Sequence, residues 1–125
     1  ATAAAVNYLE NIGMEQIREH EKELTDYLLK GLAQISSVKV FAAEVAQRGS
    51  AVSFAVDQVH PHDVGQVLDD DGIAIRVGHH CAWPLMKKLN VHATSRISTY
   101  LYNDKHEIDK FLTSLERVKS FFGVK

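Results

Sequence analysis

Apolar and polar positions change period several times along the chain, and each change marks a predicted element. Val6, Leu9, Ile17, Leu24, Leu28 and Ile35 recur mostly at helical spacing, with Glu10, Glu15, Arg18, Glu19, Glu21, Lys22 and Glu23 around the surface. Residues 1–35 therefore read as a leading helical segment. Gly13 breaks or bends it, and a second start at Gly13-Met14-Glu15 runs to about Gln34. Ser36-Ser37 ends the pattern, and Val38 to Phe41 reads as a short strand. The turn-like Gln47-Arg48-Gly49 precedes Ser50 to Val56, whose β-branched and aromatic content predicts a second strand.

His60-Pro61 opens a predicted helix from Pro61 to Asp70, because proline lacks only a donor that is unpaired at a helix start. Val64, Val67 and Leu68 supply its buried face, and Asp69-Asp70-Asp71-Gly72 stops it. Ile73 to Val77 reads as a third strand, Gly78 to Cys81 as a loop, and Pro84 to Leu89 as a short helix. Ser95 to Leu101 alternates as a fourth strand. Asn103 or Asp104 caps the last helix, where Asp104 and Glu107 have capping-box spacing. Ile108, Phe111, Leu112, Leu115, Val118 and Phe122 form its apolar stripe, and the Phe121-Phe122 pair is expected to complete a core. The predicted class is α+β, a two-layer α/β domain with helices covering one face of a small sheet. The uncovered face calls for a partner surface.

Composition narrows the partners. The chain of 125 residues is 46% hydrophobic and 24% charged, enough apolar content for one core. With 14 Lys plus Arg against 16 Asp plus Glu, the formal charge is -2. That supplies no positive field for nucleic acid or an acidic membrane. No apolar run reaches membrane-spanning length, and the alanine-rich start lacks the basic region of a secretory signal. A single cysteine cannot form an internal disulfide, so a reducing, cytoplasmic compartment is expected. A start without methionine, inside a helical pattern, suggests a piece of something longer.

Candidate chemistry gathers between positions 76 and 96, where Arg76, His79, His80, Cys81 and Arg96 occur. A loop cysteine after two imidazoles and before a helix start has the surroundings that favour a thiolate nucleophile. The alternative is a cysteine buried as a small hydrophobe, and exposure decides between them. Arg76 closes one predicted strand and Arg96 opens another; facing one loop, their guanidiniums would grip a carboxylate or phosphate. Taken singly, each reads as solvated. A metal site is a rival, but adjacent His79 and His80 cannot easily share an ion and a single cysteine leaves no Cys pair, so none is expected. A Cys-His hydrolase would lack an orienting third group. Trp83, beside the cysteine, suits packing against another domain.

The stretch Gly72-Ile73-Ala74-Ile75-Arg76-Val77-Gly78-His79-His80-Cys81-Ala82-Trp83-Pro84-Leu85-Met86 resembles the catalytic-cysteine segment of SufS-type cysteine desulfurases. These belong to the class V aminotransferase family of fold-type I pyridoxal-phosphate (PLP) enzymes. Thr94 to Asn103 resembles the family's following arginine strand, and Glu107 to Gly123 its final helix. The resemblance covers essentially the whole chain and is clearest over residues 60–123. It implies that residues 1–125 form the small C-terminal domain of the PLP-dependent aminotransferase fold, with the PLP-binding large domain absent.

The activity implied is conversion of L-cysteine to L-alanine, with Cys81 forming a persulfide and passing sulfur to a SufE- or SufU-type acceptor for iron–sulfur cluster assembly. Arg96 matches the arginine that grips the substrate carboxylate, and Arg76 one lining the same site. His79 and His80 match the loop that tunes or shapes the cysteine. The intact protein is expected to be a homodimer, and the lysine that binds PLP matches nothing in this chain. Alone, the chain is expected to be inactive. Two readings stand beside this one: a selenocysteine lyase, and a catalytically silent docking or persulfide-relay domain.

Overall fold

The computed structural model describes residues 1–41 and 48–124, so Gln47 of the anticipated turn lies outside the described residues. Among the described residues, nine elements follow in order: α1 (Thr2–Ile12), α2 (Met14–Leu32), β1 (Val38–Phe41), β2 (Ala51–Val56), α3 (Pro61–Asp70), β3 (Arg76–Gly78), α4 (Trp83–Leu89), β4 (Thr94–Ser98) and α5 (Lys105–Phe122). Local chemistry sets several of their ends. Gly13 separates the first two helices at φ 96°, a backbone conformation glycine adopts without steric cost. His60, just before Pro61, caps α3 through Nδ1, which accepts from the His62 amide. Asp104 caps α5, and with Glu107 it forms the anticipated capping box.

The four strands pair antiparallel in the order β1-β2-β4-β3. Along β2, Val52, Phe54 and Val56 are buried while Ala51, Ser53 and Ala55 alternate with them, the period of a sheet with one covered face. The covered face joins Leu24, Leu28 and Leu32 of α2, Val64 and Leu68 of α3, and Ile108, Phe111 and Leu115 of α5 in one core. Phe54 meets Phe111 edge-on at 5.7 Å. The mixed α/β class with helices on one side of a short-stranded sheet agrees with the sequence reading. Among the described residues, no helix is long and apolar enough to cross a membrane.

Three expectations need correction. Residues 73–75 are not in the third strand, because the Ile73 amide donates to Leu68 O at 2.9 Å and closes the end of α3. β4 stops at Ser98, since the Tyr100 amide donates to Asn103 Oδ1 at 2.8 Å and the chain turns there. Phe121 and Phe122 do not complete the core: they are 73% and 40% exposed and pack edge-on against each other. α1 likewise has no buried side chain, which leaves Val6, Tyr8 and Ile12 on the surface.

Candidate functional site

The β2–β4–β3 ladder decides where the arginines go. Arg76 of β3 stands directly opposite Arg96 of β4, and Arg96 stands opposite Ser53 of β2. Alternation fixes the face. Val77 packs toward Gly65 of α3 and Ile97 is in the core, so their neighbours Arg76 and Arg96 project from the opposite face. Arg76 opens its strand and Arg96 lies mid-strand, unlike the strand-end positions expected, yet the two guanidinium-bearing residues share one rung. Like charges directly opposite each other weaken a ladder. Neither arginine forms an ion pair among the described residues. Among the described residues, Arg96 Nε is buried without a hydrogen-bond partner. Such a rung suits an anion that accepts from both side chains.

Two residues further along the same face, Gly78 pairs with Thr94. There the ladder ends and the chain makes a tight turn. The Ala82 amide donates to His79 O at 2.9 Å, with φ at His80 55° and at Cys81 57°. Two successive positive φ values under an i to i+3 bond are those of a type I′ turn. Such a conformation costs a residue with a Cβ roughly 1–2 kcal/mol, so surrounding contacts must hold it.

They do. His79 Nδ1 accepts from the Cys81 amide at 3.2 Å, and the His79 ring stacks on Trp83 with centroids 4.3 Å apart. His80 Nε2 lies 3.2 Å from Thr94 O and 2.9 Å from Thr94 Oγ1. A carbonyl oxygen can only accept, so Nε2 carries the hydrogen and the neutral ring bears its lone pair on Nδ1. Burial pushes the His80 imidazole below its ordinary range, Arg96 adds to this, and Arg76 and His79 push the same way against the Thr94 carbonyl bond. Cys81 itself is exposed at the tip of the turn. The exposure on which the reactive reading depends is therefore present.

The turn thus presents a thiol to solvent at the end of the face that carries the arginine rung. Trp83, 62% exposed, leaves an indole beside it. Among the described residues no group of three or more His, Cys, Asp or Glu could hold a metal ion. Sequence reasoning missed Thr94, fully buried against the His80 ring, and Ser53, the cross-strand neighbour of Arg96. Strand parity could have found Thr94, two residues before Arg96, but the predicted strand began one residue too late.

The family model for class-V aminotransferases matches residues 1–111. The chain belongs to the class-V aminotransferase family. Among curated members, it is 48% identical over 121 residues to a probable cysteine desulfurase of Streptomyces coelicolor, covering 96% of this chain and 29% of that protein. A probable cysteine desulfurase of Halalkalibacterium halodurans is 49% identical over 120 residues, again covering 96% of this chain and 29% of that protein. The apo cysteine desulfurase of Thermococcus onnurineus NA1 superposes with a TM-score of 0.90 at 39% identity, covering 94% of this chain and 30% of that one. This class-V aminotransferase chain therefore spans about 29% of the length of the curated relatives it matches.

Proposed function

We propose that this chain is the small C-terminal domain of a SufS-type cysteine desulfurase, with residues 1–125 one domain and residues 1–35 its leading helical segment. The observation that carries the reading is the exposed Cys81 turn at the end of the face bearing the Arg76–Arg96 rung. Relatives named probable cysteine desulfurases support it.

Arg96 and Arg76 receive the carboxylate of L-cysteine, for which a guanidinium offers parallel N–H donors. Cys81 Sγ, having given up its proton, attacks the substrate sulfur. A sulfur–sulfur bond forms as the substrate carbon–sulfur bond breaks. The electron pair of the broken bond stays with the carbon skeleton, which takes up a proton and leaves as L-alanine. Cys81 keeps the sulfane sulfur as a persulfide and hands it to a SufE- or SufU-type acceptor. His79 and His80 shape the turn that aims the sulfur.

PLP supplies the electron sink that makes the substrate bond labile. This chain's own residues fit the substrate end of such a site rather than the cofactor. Lys87 and Lys88 are exposed on α4, Lys105 pairs with Glu23, and Lys39 lies over Phe41 on β1, at the opposite edge of the sheet from β3. The imine lysine and the ring contacts belong to the remaining length, as does the surface that covers the open face. The intact protein acts as a cytoplasmic homodimer feeding iron–sulfur cluster assembly.

The test uses the complete protein loaded with PLP and supplied with L-cysteine. Wild type should release alanine, and Cys81→Ala should lose sulfur transfer to the acceptor. Equal transfer by C81A would overturn the assignment of the nucleophile, and no alanine from PLP-loaded wild type would overturn the activity. Residues 1–125 alone should release none.

A further inference from the structure

Thr94 has no part in the chemistry above, yet the turn converges on it. Its strand position puts it on the open face, opposite Gly78 and two residues before Arg96. That face lies opposite the core helices, but Thr94 is fully buried, with the His80 ring against it. Both of its polar acceptors meet one atom, His80 Nε2, at 3.2 Å for the carbonyl and 2.9 Å for the hydroxyl. The ring is thereby fixed in rotation as well as in tautomer. His80 and Cys81 are consecutive left-handed residues, so freedom at the first becomes freedom at the second.

We propose that Thr94 is a positioning residue: through its hydroxyl it locks the His80 ring to the end of the β3–β4 ladder and so holds the Cys81 sulfur on the arginine-bearing face. The inference rests on the reading of Cys81 as the sulfur-accepting nucleophile. The backbone carbonyl remains whatever residue stands at 94, so only the hydroxyl's share is at stake. A neutral hydrogen bond contributes about 0.5–1.5 kcal/mol, a factor of about 2–12 in rate.

The test is a double-mutant cycle in the complete PLP-loaded protein. Wild type, T94V, H80A and the double variant are compared, with T94S as the conservative rescue. Two rates are followed: single-turnover persulfide formation with L-cysteine, and alkylation of Cys81 by iodoacetamide without substrate. T94V should slow persulfide formation about fivefold with KM for cysteine unchanged, and T94S should restore it to within about twofold. In the H80A background, T94V should change either rate by less than about twofold, because coupled residues are not additive. Equal effects of T94V with and without His80, or failure of T94S to rescue, would overturn the proposal. Alkylation needs no turnover. A wild type that releases no alanine but shows the coupled alkylation pattern would sink the desulfurase reading and leave the anchor standing. An uncoupled pattern in both assays would sink the anchor alone.

Discussion

Replacing Arg76 by Gln isolates the electrostatics of the open-face rung. Arg76 and Arg96 stand directly opposite on antiparallel strands. At that position Cβ atoms lie about 4.5–5.5 Å apart, and like charges destabilise the pair, on the scale of about 0.2–1 kcal/mol that cross-strand pairs carry. Arg76 is exposed, so solvent screens the repulsion and a value near 0.5 kcal/mol, roughly mid-range, applies. R76Q should therefore stabilise residues 1–125 against urea by about 0.5 kcal/mol, the reverse of the usual sign. Sulfate, an anion that can accept from both guanidiniums, should raise the wild-type midpoint at constant ionic strength and raise that of R76Q much less. Function should move the other way. A hydrogen bond to a charged group contributes about 1.5–3 kcal/mol, so KM for L-cysteine in the complete protein should rise about 10- to 150-fold. Destabilisation of R76Q beyond about 1 kcal/mol, an equal sulfate response in both proteins, or an unchanged KM would refute the two-arginine anion site.

Further expectations concern the turn, the core and the last helix. Burial and then Arg96 push the His80 imidazole below its ordinary range, whereas the unfolded imidazole titrates at about 6.5. The unfolded chain therefore binds the proton first: its stabilising share is full above about pH 6.5 and is lost as pH falls toward the folded value. Urea unfolding from pH 7.5 to 5 should show that loss, and His80→Gln should flatten it. Leu115 has no exposed surface, so Leu115→Ala should cost about 2–5 kcal/mol in the same assay. Asp104→Ala removes the capping-box acceptor and should cost about 0.5–2 kcal/mol, with helical circular dichroism lost at the start of α5.

Elements whose signals are local were legible in the sequence. Pro61 and the Asp69-Asp70-Asp71-Gly72 stop bounded α3 to the residue, and Asp104 with Glu107 announced α5. Gly13 marked the break between α1 and α2 because only local backbone freedom is involved. Pairing was not legible. That Arg76 meets Arg96 depends on a register between strands with α4 between them, and no periodicity within either strand specifies it. Ile73 looked like strand by composition, but its amide closes a helix. Phe121 and Phe122 looked like core because hydrophobicity does not state which side of α5 meets the sheet at its last turn. Cys81 could be picked out by its neighbours, while its exposure and its left-handed backbone came only with the fold.

The most direct test of the central claim is peptide mass spectrometry of the complete protein after one turnover. PLP-loaded protein is mixed with L-cysteine, quenched with an alkylating agent and digested. The account predicts a Cys81 peptide heavier by one sulfur, in proportion to the alanine released. Alanine without sulfur on Cys81, or sulfur carried by another residue, would contradict it.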